Sequence, residues 1–194
     1  MFCGAGHLPP AAAHWLCASR LVPLRKKDGG VRPIAVGETV RRLVAKFLSM
    51  HPETVVVGRG LHPLQLGVGT RGACETLAIG LQEVLNHPPT AEPWVAVAVD
   101  ISNAFNTLSR VALLAGVRDF APHLEPWVSP RSRAGAARNK VDPLGPILFC
   151  LGIQRVIASV PTSGLWWNRW YFDDGCIVGP RRRSSAPFLH WYQR

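Results

Sequence analysis

Two adjacent carboxylates, Asp173 and Asp174, lie inside the stretch WYFDDG at residues 170–175. Charges so close repel, and a proton, a basic side chain or a metal cation relieves the repulsion. A solvated Asp-Gly turn would contain the same residues. A third acid, Asp100, ends the apolar run WVAVAVD and favours a shared site over a bare turn.

The elements that must position these acids are legible in outline. Apolar runs flank the polar, glycine-containing centre of residues 170–178, which predicts a tight β-hairpin. WVAVAVD is β-branched and lacks polar alternation, so it predicts a strand buried on both faces with Asp100 at its exit. DPLGPILFCLGIQRVIASV opens with Asp142 as expected N-cap and Pro143 as expected first helical residue, then runs as an apolar helix to about residue 160. Ser109 is the expected cap of a helix over RVALLAGVRDF.

Upstream, Asp28-Gly29 predicts the turn of a hairpin over residues 21–36 that carries Arg25, Lys26, Lys27 and Arg32. Such a basic hairpin is either a solvated edge or a grip on phosphate. Val40, Leu43, Val44, Phe47 and Leu48 fall at helical spacing, and Pro52 ends that helix. Residues 51–72 are rich in glycine and proline and predict a short strand plus loop. Leu77, Leu81 and Leu85 predict an amphipathic helix over residues 73–86. Residues 121–141 are basic and poor in apolar side chains, hence an expected loop. Its Arg131, Arg133, Arg138 and Lys140 suit either a nucleic-acid backbone or plain solvent. Trp166, Trp167 and Trp170 suit core packing more than base stacking.

The chain has 194 residues, enough for one domain with a sizeable core. At 47% hydrophobic and 18% charged it does not have the composition of a disordered chain. A formal charge of +10 points to a polyanionic partner, nucleic acid before an anionic membrane. No apolar run is long enough to span a bilayer, and the N-terminal residues lack a signal-peptide pattern, so an intracellular protein, nuclear or cytoplasmic, is expected. The five cysteines form no Cys-x-x-Cys pair and read as reduced thiols. No pair among the seven histidines has metal-ligand spacing.

Taken in order, these segments resemble a reverse transcriptase domain of retrotransposon type over about residues 20–180. LRKKDGGVRPI resembles the fingers segment, VAVDISNAFNTLSR the first palm motif, DPLGPILF the second and YFDDG the third. The resemblance implies an α+β fold: a partial right-hand polymerase with a small antiparallel palm sheet packed on helices and the thumb absent. Residues 1–19 are then a lead-in, 20–93 fingers-like, 94–180 palm-like and 181–194 a basic tail. It implies Asp100, Asp173 and Asp174 as catalytic, metal-binding acids for Mg2+, or Mn2+ in its place. It implies Lys27 and Arg32 on the nucleotide triphosphate, and Phe105 as the aromatic gate that screens the sugar 2'-hydroxyl. It implies Pro143, Leu144 and Gly145 against the template-primer. The implied partners are an RNA template, a DNA primer and deoxynucleoside triphosphates, and the implied chemistry is two-metal nucleotidyl transfer.

Three departures qualify that expectation. Lys140 and Val141 stand where the family carries Gln-Gly, and a β-branched residue there restricts the backbone. The segment between the first and second palm motifs is short, and few residues follow Asp174. The expectation is therefore impaired activity, with little or no processive polymerisation. The alternatives are a non-catalytic, basic nucleic-acid-binding remnant and, less favoured, another palm-type enzyme such as a nucleotidyl cyclase.

Overall fold

A computed structural model describes residues 18–25, 27, 29–133 and 142–181. Strands β1 (Ser19–Arg25) and β2 (Val31–Gly37) pair antiparallel as a separate two-stranded sheet, with Gly29 between them. Gly29 takes a φ of +84°, a conformation glycine adopts without strain. Helix α1 (Thr39–Met50) stops ahead of Pro52, as expected. The next segment departs from the expected strand. Pro52 has no N–H to lose in a first turn and Glu53 complements the helix dipole there, so residues 52–60 form α2 (Pro52–Gly60) despite three consecutive valines. A loop leads to α3 (Ala73–Asn86), the helix that the leucine spacing marks out.

Strand β3 (Trp94–Asp100) enters a second sheet. A short helix α4 (Ala104–Thr107) follows, then α5 (Arg110–Phe120), whose first turn is capped by the Ser109 hydroxyl accepting from the Ala112 N–H at 3.4 Å. A 3-10 turn (Pro122–Leu124) and α6 (Glu125–Arg133) replace the loop expected from residue 121 onward. Sparse apolar residues suffice there, because Leu124 and Val128 are buried in the core. After α7 (Gly145–Ser159), the chain closes with β4 (Trp167–Tyr171) and β5 (Asp174–Pro180). The described residues thus form a mixed α+β structure of seven α-helices and two small antiparallel sheets.

Helix α7 is apolar on nearly every side and is accordingly the centre of the core. Ile147, Leu148, Phe149, Cys150 and Leu151 are all buried. Gly116 of α5 lies directly on the Leu151 backbone, and a Cβ there would run into the carbonyl, so glycine sets this close helix crossing. The second sheet has the order β3-β5-β4, with β5 central. Its outer strand β3 is exposed along most of its length rather than buried on both faces, because β5 alone flanks it and alanine alternates with its valines. The apolar residues Val40, Leu43, Phe47 and Met50 of α1 are 54–62% exposed, while Arg41 and Ala45 turn inward. No helix among the described residues is long and apolar enough to cross a membrane.

Candidate active site

The hairpin expected around the paired acids is present. Only Phe172 and Asp173 separate β4 from β5, and Tyr171 pairs with Asp174. On the other side of β5, Asp100 pairs with Asp174. Antiparallel ladders alternate hydrogen-bonded and non-hydrogen-bonded pairs. Here the Arg181 N–H donates to the Pro93 carbonyl at 2.7 Å, and the Ile101 N–H to the Asp173 carbonyl at 3.2 Å. Both contacts lie at odd-numbered β3-side positions, which makes Asp100 and Asp174 a non-hydrogen-bonded pair. In such pairs the side chains share a face and the Cα atoms come within about 4.5 Å. The two exposed side chains therefore stand side by side on one face of the sheet, with Asp173 in the adjoining turn.

The three acids do not form a group whose carboxylate oxygens all lie within 4.8 Å of one another, the arrangement around a single ion. The donor set consists of oxygens alone, which suits a hard cation such as magnesium that keeps several waters. Two like charges directly opposite on a sheet are destabilising, and a cation between them reverses that sign.

The turn is shaped by a residue with no obvious signal in the sequence. Gln65 is fully buried. Its Oε1 accepts from the Phe172 N–H at 2.8 Å and the Gly67 N–H at 3.0 Å, and its Nε2 donates to the Phe172 carbonyl at 3.1 Å. Phe172 has a φ of +54°, costly for a bulky side chain, so the clamp holds a strained residue directly before Asp173. Backbone bonds between Leu66 and Trp170, and between Trp170 and Leu64, cover the outer edge of β4 beside the clamp. Behind the acids, Trp170 lies across Gly175, where a Cβ would sit 2.6 Å from the ring. The glycine of DDG is required by that ring. Beneath the turn, burial pushes the Cys150 thiol far up, and the Asp173 charge adds to the push. On the far face, a hydrogen bond with Cys74 raises the Tyr171 hydroxyl, as do burial and the nearby Glu75.

The remaining expected site residues are distributed unevenly. Phe105 follows Asp100 closely in the chain, but its ring is only 7% exposed and stacks on Phe149 with centroids 4.3 Å apart. It also reaches the turn, 6.2 Å from the Phe172 ring. Lys27, exposed, lies in the connection between β1 and β2, and Arg32 lies on β2, so neither belongs to the sheet that bears the acids. Asp142 is not the helix cap: α7 starts at Gly145 and the proline in its first turn is Pro146. The Asp142 carboxylate instead accepts from the Leu144 N–H at 3.1 Å and pairs with Arg41 at 3.3 Å. Pro143 is half-buried and Gly145 buried, while Leu144 packs into the core. Arg41 is fully buried, and its guanidinium lies over Gly37 and reaches the Ser19 hydroxyl at 3.3 Å. One ion pair thus links the first sheet, α1 and the DPLG turn. Trp170 is buried and Trp166 and Trp167 half-buried, with Trp167 against Gly80. Arg138, Lys140 and Val141 lie outside the described residues, as do the side chains of Arg131 and Arg133.

A second polar cluster stands apart from the acids, where the start of α2 meets the turn before α6. It contains His51, Glu53, Thr54 and His123. Burial, chiefly, holds His123 below its ordinary imidazole value; Glu53 opposes this and His51 adds to it.

Neither a protein-family model nor a curated protein matches the chain.

Proposed function

We propose that the chain carries the fingers and palm of a reverse-transcriptase-like nucleotidyltransferase, with Asp100, Asp173 and Asp174 as its metal-binding acids. The observation that carries the reading is the cross-strand pairing of Asp100 with Asp174 beside Asp173, at the end of an antiparallel sheet packed on an apolar helix. Bound magnesium would supply activation of a primer hydroxyl and neutralisation of the leaving pyrophosphate. The chain's own residues contribute position. β3 and β5 fix the two facing carboxylates, Gln65 fixes the turn that presents Asp173, and the Arg41–Asp142 pair fixes the approach to α7. The charge of +10 favours a polyanionic template-primer.

Primer extension on an RNA template with deoxynucleoside triphosphates and magnesium tests the reading. Short additions are expected, abolished by chelation and by Asp100→Asn or Asp173→Asn. Additions that persist in either variant, or no incorporation at all by the parent chain, would overturn it.

The burial of Phe105 favours a second reading, binding of nucleic acid without catalysis, because a ring stacked in the core is not presented to an incoming sugar. Under that reading Asp100→Ala leaves duplex binding intact and there is no metal-dependent activity to lose.

A further inference from the structure

The cluster at the α1–α2 corner has a composition unlike that of the acid site. His51 immediately precedes α2, Glu53 lies in its first turn, and His123 comes from the 3-10 turn about seventy residues later. One ligand atom from each of the three lies within 4.8 Å of the other two. His123 Nδ1 is 3.3 Å from Glu53 Oε2. Ligand atoms around a tetrahedral zinc ion, with bonds of about 2.0–2.1 Å, are themselves about 3.3 Å apart. The His51 and His123 rings lie with centroids 5.9 Å apart and planes at 32°.

The other nitrogen of His123 is also committed. Nε2 is 2.9 Å from the Thr54 hydroxyl, and Thr54 is 2% exposed. A metal-binding imidazole characteristically gives its second nitrogen to such a partner, which fixes the tautomer and the ring's orientation. Leu124 and Ala121, both fully buried, anchor the turn that carries His123. An ordinary hydrogen-bonded ion pair accounts for Glu53, His123 and Thr54, but leaves the presence of His51 beside them unexplained.

We infer that His51, Glu53 and His123 form a binding site for a zinc-class divalent cation, with Thr54 as the orienting partner of His123. Two imidazoles and one carboxylate suit a borderline metal, whereas magnesium takes oxygen ligands. Three protein ligands leave a fourth position for water. Such an ion fastens the corner between α1 and α2 to the turn between α5 and α6.

The test uses the full chain, purified metal-free and titrated with Zn2+, then separately with Co2+. His51 and Glu53 are exposed, so His51→Ala and Glu53→Gln leave the core untouched. The expected result is zinc binding that weakens about tenfold or more in each variant. Cobalt should give visible d–d absorption without thiolate charge transfer, which separates this site from binding by cysteine. Zinc should raise the melting temperature of the parent chain and not that of the variants. Equal affinity in parent and variants, a thiolate signature for the bound cobalt, or no saturable binding would each overturn the inference. Primer extension in magnesium should proceed in both variants as in the parent, so this outcome is separate from that of the acid site.

Discussion

Asp100 and Asp174 stand directly opposite each other in a non-hydrogen-bonded pair at the end of the β3–β5 ladder. Without a cation, that pairing opposes folding. Asp100→Asn should therefore raise the stability of the metal-free chain by up to about 0.5 kcal/mol, since the sites are exposed and screened. Urea unfolding in chelator measures it. The same variant should lose the extra stability that the parent gains in magnesium. A variant less stable than the parent in chelator would contradict the assignment.

The clamp on the turn makes a second expectation. Gln65→Leu keeps the approximate volume but leaves the Phe172 and Gly67 backbone groups without their partner. Unsatisfied buried groups of this kind cost about 1–3 kcal/mol. Denaturant midpoints should fall accordingly. Nucleotide addition should fall further than stability explains when compared at a temperature where both proteins are folded.

Arg41 and Asp142 form an ion pair with both side chains at most 9% exposed. Removing one partner from a buried pair strands the other's charge, a loss of about 3–5 kcal/mol. Arg41→Ala is expected to lose stability on that scale. Arg41→Met with Asp142→Leu should recover much of it, because no lone charge remains. A double-mutant cycle by chemical denaturation reads the difference.

His123 gives a pH dependence of defined sign. Its folded value is lowered from the ordinary 6.5, so the unfolded chain binds a proton more readily. Its contribution to stability is therefore fully present above 6.5 and is lost as pH falls through the lower folded value. Metal-free protein should unfold at lower urea in a buffer near pH 5 than near pH 7.5, roughly one unit or more either side of a free imidazole. His123→Gln should flatten that difference.

Much of this arrangement could be read from local signals. Asp-Gly marks the first hairpin, leucine spacing marks α3, and Ser109 caps α5 as its position suggests. The hairpin of the paired acids follows the same kind of signal, whereas their nearness to Asp100 is a long-range pairing expected only from the order of the motifs. What failed was decided at a distance or by a competing local preference. Valine's preference for strands lost to Pro52 and Glu53 in α2. Asp142 has the look of a cap, yet its partner Arg41 lies a hundred residues earlier. Gln65, His51 and His123 acquire their roles only through the fold, since no spacing along the chain brings them to their partners.

The two-residue turn between β4 and β5 leaves the acids no slack in chain length. Side chains on a strand alternate faces, so one residue added to β5 just after Asp174, or to β3 just after Val99, turns a carboxylate to the opposite side of the sheet. Substitutions at the site change its strength by degrees. Insertions and deletions change its parity unless a bulge absorbs the extra residue.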